Sequence, residues 1–335
     1  MQPKWLGLMV SITVVVALCV VMLGAYTRLT NAGLGCPDWP GCYGHMVLPS
    51  NDKELNSAQS QFPDNPVEVT KAWTEMAHRY LAGSLALLIF ATGFIFIIMH
   101  LKGRSLERIS WQIPATLISL VLFQAALGMW TVTMKLLPVV VMGHLLGGIL
   151  IFSLLARLRM QMSQVHPANM PACHFWVGLG VVIVFCQIAL GGWVSANYAG
   201  IACIGFPTCN GSWIPHLQFS EGFNLLSPVG ANYQGGVLDA NARVTIQFIH
   251  RLGAVVTAGY IVSLSLWLLC RVNHRAIRLL AWLALLLVTT QFFLGIMNVM
   301  YLLPIKIAVA HNAVAAMLMA TMLTMLYLTK KEASA

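Results

Sequence analysis

Residues 23–44 read LGAYTRLTNAGLGCPDWPGCYG, and residues 190–211 read LGGWVSANYAGIACIGFPTCNG. Laid over each other at an offset of 167, the runs share Leu23/Leu190, Gly24/Gly191, Ala32/Ala199, Gly33/Gly200, Cys36/Cys203, Pro40/Pro207, Cys42/Cys209 and Gly44/Gly211. The offset returns at Gln124/Gln291, Leu127/Leu294, Gly128/Gly295 and His144/His311. It becomes 172 at His78-Arg79/His250-Arg251, because the outer loop before His250 is five residues longer. Self-similarity at a fixed spacing is the mark of a duplicated unit.

Each unit is built for lipid. Of the 335 residues 59% are hydrophobic and 9% charged, far from the roughly 25% charged of soluble domains. Apolar runs near 5–27, 76–99, 112–134, 138–156, 174–194, 244–270, 279–302 and 304–328 each suit a hydrocarbon core about 30 Å thick. The first is too long for a signal-peptide h-region, and Gly24-Ala25-Tyr26-Thr27-Arg28 is a poor cleavage site. The expected fold is an all-α polytopic membrane protein of eight transmembrane helices, arranged as two tandem four-helix bundles. Four spans per unit is an even number, so the halves are parallel repeats and not the inverted repeats of many transporters. The expected boundary, in the loop around 160–173, divides the chain into 1–165 and 166–335.

A net charge of +9 raises the question of nucleic acid, but the basic residues sit at helix ends and not in a stripe or tail. With the N-terminus cytoplasmic, Lys4, Lys102, Arg104, Arg108, Arg157, Arg159, Arg271, Arg275, Arg278, Lys330 and Lys331 all fall inside, as the positive-inside rule asks. Of the acidic residues only Glu107 and Glu332 join them. Both termini are expected in the cytoplasm, and the short termini favour a bacterial plasma membrane over an organelle.

On this topology His78, His144, His250 and His311 share one depth, roughly 10 Å below the outer ends of their helices at 1.5 Å rise per residue. Alternate helices of a bundle can lie diagonally, so the two imidazoles of each half can face one another across its core. The plainer reading is hydrogen bonding between helices. Paired imidazoles without a nearby thiolate or carboxylate cluster fit axial ligation of a haem iron better than zinc, which wants three or four protein ligands. Small residues follow each histidine by about a turn, at Ala82-Gly83, Gly147-Gly148, Gly253-Ala254 and Ala315-Ala316. They would give a flat macrocycle clearance or serve ordinary helix packing. Arg79 and Arg251 either pair with haem propionates or snorkel to the interface.

The histidines repeat but their neighbours do not. Glu75 stands three residues before His78, where Gln247 precedes His250. The i, i+3 spacing puts Glu75 on the face of the ligand; an ionisable group near the bilayer is a functional candidate, with interfacial solvation as the alternative. Hence an expected division of labour, with chemistry in the Glu75 half and a permanent redox haem in the Gln247 half. Cys36/Cys42 and Cys203/Cys209 lie in equivalent outer loops and read first as structural disulfides, second as reactive thiol pairs. Cys19, Cys173, Cys186 and Cys270 read as packing residues.

The run from Gly24 to Pro40, with Glu75-Met76-Ala77-His78-Arg79, Gly143-His144, Gln247-Phe248-Ile249-His250-Arg251 and Ala310-His311-Asn312, strongly resembles the haem A synthase family over essentially the whole chain. The resemblance implies oxidation of the C8 methyl of haem O to the formyl group of haem A, the cofactor of cytochrome oxidases, through an alcohol and a geminal diol that loses water. It implies that His250 and His311 ligate a resident haem B, that His78 and His144 flank the site for haem O, that Glu75 is catalytic, and that Cys36 and Cys42 are the pair tied more closely to activity. Haem O would come from a membrane haem O synthase; the electron donor and any homo-oligomer stay open. Two rivals remain. A dihaem b-type electron-transfer cytochrome would stagger its haems toward opposite faces, and a transporter would show broken helices midway through the bilayer.

Overall fold

The structure, a computed structural model, describes residues 4–49, 51–103, 111–163 and 165–330. Arg104, Glu107, Arg108, Lys331 and Glu332, which entered the topology argument, lie outside the described residues. Among the described residues ten helices follow in order: α1 (Lys4–Leu29), α2 (Asp52–Gln61), α3 (Val69–Leu101), α4 (Gln112–Thr133), α5 (Pro138–Gln161), α6 (Pro171–Ala196), α7 (Phe219–Gly222), α8 (Ala240–Arg271), α9 (Arg275–Met300) and α10 (Ile305–Thr329). All but α2 and α7 are long and apolar enough to cross a membrane, so the chain is a multi-pass, all-helical membrane protein with no named strand among its described residues.

Apolar runs form helices here because lipid offers backbone groups no other partner. Hydroxyls inside the spans turn back on the carbonyl four residues earlier, as Thr13 does to Met9, Ser153 to Ile149 and Thr324 to Ala320. Several helices start earlier than the apolar runs suggested, α3 at Val69 most of all, with α8 at Ala240 and α9 at Arg275. Hydropathy registers only the lipid-facing portion, whereas α8 runs on to Asp239, whose carboxylate caps it by accepting the Ala242 N–H at 2.7 Å. Of the free cysteines read as packing residues, Cys173 is buried, but Cys19, Cys186 and Cys270 are exposed on their helices.

Helix packing follows two rings. α1 packs on α3, α3 on α4, α4 on α5 and α5 back on α1; α6, α8, α9 and α10 close in the same order. This is consistent with tandem four-helix bundles, and it puts α3 opposite α5 and α8 opposite α10. Between the rings α5 meets α10, while α1–α10 matches α6–α5 under the repeat. At that junction Arg28 donates to the carbonyl of Ser195, its own repeat equivalent, at 2.6 Å and lies 3.9 Å over the Tyr198 ring.

The duplication is also written in the backbone. Left-handed φ angles occur at Asn31 and Tyr198, Tyr43 and Asn210, Gly44 and Gly211, Lys135 and Leu302, and Leu136 and Leu303, each pair 167 apart. A leucine in this region carries a cost of order 1–3 kcal/mol. Leu136 and its repeat equivalent Leu303 are each accommodated by a glycine: a Cβ at Gly33 would stand 3.3 Å from Leu136, and one at Gly200 would stand 3.2 Å from Leu303.

The loops above the rings differ. The segment before α3 packs on its own half, with Cys36, Cys42, Tyr43, Leu48, Ala58 and Met76 in one buried cluster. The longer segment before α8 crosses over. Buried Tyr233 joins Leu127, Leu136, Leu137 and Val140 of the first half, and its N–H donates to the Lys135 carbonyl at 3.0 Å.

Candidate functional site: paired histidines beneath disulfide loops

His78 on α3 and His144 on α5 meet across the first ring, their ring centroids 6.4 Å apart and their planes at 83°. His250 on α8 and His311 on α10 occupy the equivalent positions of the second ring. The Nδ1 atoms of His78, His144 and His311 are buried without a hydrogen-bond partner among the described residues. No cluster of three or more His, Cys, Asp and Glu side chains able to hold a metal ion occurs among those residues.

Each imidazole rests against a glycine of the helix beside it. A Cβ at Gly24 would lie 2.9 Å from His78 Cε1, at Gly128 3.3 Å from His144 Cε1, at Gly191 3.1 Å from His250 Cε1, and at Gly295 3.4 Å from His311 Cε1. These four glycines stand among the repeat identities of the sequence, yet nothing in their spacing along the chain ties each to a histidine; only helix packing does. By contrast, Gly147 and Gly253 make room for glutamines. A Cβ there would fall 1.8 Å from Gln124 Nε2 and 2.3 Å from Gln187 Oε1, while Gly83 and Gly148 face open space.

Glu75 is buried beneath the first disulfide loop. Its Oε2 accepts the Cys36 N–H at 2.9 Å, and its Oε1 accepts from Arg79. Arg79 also donates to the carbonyls of Asp38 (3.0 Å), Pro40 and Gly41, and Asp38 takes the N–H groups of Tyr43 and Gly44 at 2.6 and 2.8 Å. A Cβ on Gly35 would stand 2.6 Å from the Lys71 carbonyl carbon, so only glycine lets this loop lie on the first turn of α3. Burial first, then the charges of Glu68, Glu75 and Asp38, hold the Tyr43 phenol above its ordinary pKa, and its hydroxyl donates to Pro66 at 3.1 Å.

The second loop is assembled likewise from other residues. Arg251 donates to the carbonyls of Gly205 (2.9 Å), Thr208 (3.2 Å) and Cys203, so both arginines read as propionate partners brace a loop. Asn210 takes over the stapling, accepting the Ile204 N–H at 2.8 Å and donating to Ala202 at 3.0 Å. Gln247 is buried in place of Glu75, its Oε1 without a partner among the described residues. Both cysteine pairs, Cys36–Cys42 and Cys203–Cys209, are disulfides.

Comparison with known proteins gives matches over almost the whole chain. The chain is 45% identical over 334 residues to a protein named Heme A synthase from Shewanella oneidensis, covering 98% of this chain and 96% of the relative. Proteins of the same name from Allorhizobium ampelinum (29% identical, 94% and 86% covered) and Alkalihalophilus pseudofirmus (25%, 92% and 91%) also match. With residues 7–323 matching the COX15-CtaA family, described as Cytochrome oxidase assembly protein, the chain belongs to that family.

Proposed function

We propose that this protein is a haem A synthase, an oxidoreductase that converts the C8 methyl of haem O to a formyl group. The observation that carries the reading is the pair of matched histidine sites of which only one has a buried carboxylate, Glu75, a turn from its histidine. The full-length likeness to proteins named Heme A synthase supports it, and none of the relatives compared lends support to an electron-transfer cytochrome.

The residues fit haem. Two metal–imidazole bonds of about 2 Å each in line would set ring centroids roughly 6–6.5 Å apart, and the first pair stands at 6.4 Å. Two facing histidines with no third metal-binding side chain suit axial ligation of a haem better than zinc. In this reading residues 1–165 hold the substrate, haem O, between His78 and His144, and residues 166–335 hold haem B between His250 and His311. Haem B, when bound, supplies one-electron redox chemistry. Glu75 is oriented by a hydrogen bond on each oxygen and steers a proton, or stabilises positive charge developing beside the methyl group. Arg79 and Arg251 hold the disulfide loops over the two sites and can turn their remaining N–H groups toward propionates.

The protein would sit in a bacterial plasma membrane with both termini cytoplasmic and both sites toward the periplasm. Lys4, Lys102, Arg157, Arg159, Arg271, Arg275 and Arg278 gather at one set of helix ends, which supports this placement. Haem O would be supplied by a membrane haem O synthase, and the electron donor would be a separate partner.

The test is chromatography of haems extracted from wild type, His250→Ala and Glu75→Ala, each expressed with a source of haem O. Haem B with haem O or A in wild type, and haem B without haem A in Glu75→Ala, is the expected result. Two equivalents of haem B, lost equally on mutation of either half, would overturn it.

A further inference from the structure

One histidine of the four has a side-chain partner on its ring. The Gln187 amide, on α6, lies 3.1 Å from Nδ1 of His250, and its Nε2 also donates to the His250 carbonyl at 3.0 Å. The amide reaches this position because Gly253, one turn beyond His250, leaves the space that any Cβ would fill, 2.3 Å from Gln187 Oε1. In the first half the repeat equivalents of Gln187 and Gly253 are Val20 and Leu81. An aliphatic chain takes the place of the amide and a bulky one takes the place of the gap, and His78 Nδ1 is left without a partner among the described residues.

We propose that Gln187 is a positioning residue that makes His250 a permanent ligand, and that Val20 and Leu81 leave His78 unbraced so that a substrate can be taken up and released. This rests on the reading of His250 as a haem B ligand. The hydrogen bond on the far nitrogen of a ligating imidazole sets its tautomer, its ring orientation and its basicity. An iron at Nε2 requires the hydrogen on Nδ1, and Gln187 Oε1, buried without a partner among the described residues, sits on the same amide. As it stands the amide donates to an unprotonated Nδ1; half a turn brings Oε1 onto Nδ1–H in exchange for the bond to the His250 carbonyl. Turned so, the amide pins the ring in the tautomer that ligation through Nε2 needs; in the first half nothing equivalent among the described residues pins it. A resident cofactor must stay and a substrate must leave, and the two halves differ at the residues that decide this.

The experiment uses the purified, haem-loaded protein. It follows transfer of haem B to excess apomyoglobin and the reduction potential of the His250-dependent haem in wild type, Gln187→Leu, Gln187→Glu and the double variant Val20→Gln/Leu81→Gly. Gln187→Leu should release haem B about 10- to 100-fold faster, the usual effect of losing such a partner, with a raised potential. Gln187→Glu should keep the haem and lower the potential, because a carboxylate on Nδ1–H makes the imidazole a stronger donor. The double variant should slow haem release from the first half. Wild-type release and potential in both Gln187 variants would overturn the proposal. Should Gln187→Leu fail to accumulate, the potential of Gln187→Glu alone decides, an unchanged value counting against. If wild type carries no haem that His250→Ala removes, the ligand assignment falls, an outcome distinct from failure of Gln187.

Discussion

The two halves share a backbone and divide in their polar side chains. Left-handed residues, glycine-backed histidines and disulfide loops recur 167 or 172 positions apart. At the points where a side chain touches a histidine or a loop, Glu75 faces Gln247, Asp38 faces Gly205, and Val20 with Leu81 faces Gln187 with Gly253. The contrast separates what builds a histidine pair under an oxidised loop from what, in the proposed reading, makes one such pair reactive. Shape is conserved by glycines and strained turns, which tolerate few substitutes; chemistry is set by a handful of polar residues that packing leaves free to change.

The sharpest way to break this contrast is to remove the charge that only one half has. Glu75→Gln keeps an oxygen for the Cys36 N–H and should leave both loops folded, yet haem A formation should fall by about 10²-fold or more, the range for loss of a proton-transfer group. Extracted haems and the haem B spectrum measure it; undiminished haem A would end the division of labour. Gln247→Glu, the reciprocal change, should not create haem A at the second pair if the substrate is held in the other half as proposed.

Next in size are the glycines behind the imidazoles. Gly24→Ala sets a methyl 2.9 Å from His78, too close without moving the ring, and should weaken haem O retention by roughly 10-fold, as small misplacements of a ligand do. Gly191→Ala, at 3.1 Å from His250, should instead disturb the haem B spectrum. Gly83→Ala meets nothing within 4 Å and should be silent. Effects that spread equally over both haems would show that the halves are not separable.

How much of this the sequence disclosed follows from what repeats. Spans, duplication, the four histidines and the Glu75/Gln247 difference are legible because lipid demands long apolar helices and because the offset lines up equivalent residues. The glycine–histidine contacts join different helices and need the ring order of packing to be seen. Gln187 has no counterpart in the first half, so alignment of the halves passes over it, and the small residues after the histidines look like clearance for a macrocycle when two of them, Gly147 and Gly253, make room for glutamines. Arg79 and Arg251 look like anion binders from their place beside a histidine, but the carbonyls that engage them come from loops whose path is set by tight turns and a disulfide. Tyr233 is equally silent in sequence, one of several aromatics in the loop before α8.

That tyrosine gives a smaller effect with a clear direction. It is supplied by the second half and buried in the first, so its truncation tests whether the crossing loop couples them. Tyr233→Ala removes a buried ring, a change worth about 3–5 kcal/mol where surroundings cannot collapse, and should lower the melting temperature and loosen the α4–α5 turn that precedes His144. Haem O occupancy should drop while the haem B spectrum holds; the opposite pattern would mean that the loop serves the half that encodes it.

The least effect expected is the one that discriminates between the disulfides. Either bridge closes a short loop, and opening one costs about 2 kcal/mol by loop entropy, so Cys36→Ser/Cys42→Ser and Cys203→Ser/Cys209→Ser should be destabilised to similar extents. Activity should not follow stability. The first loop presents the Cys36 N–H to Glu75 and lays three carbonyls on Arg79, whereas the second offers carbonyls to Arg251 with no carboxylate between. Loss of the first bridge should therefore cut haem A formation several-fold more than loss of the second at matched thermal stability. Equal losses would place the function of both loops in folding alone, and would leave Glu75 positioned by Arg79 without help from the loop above it.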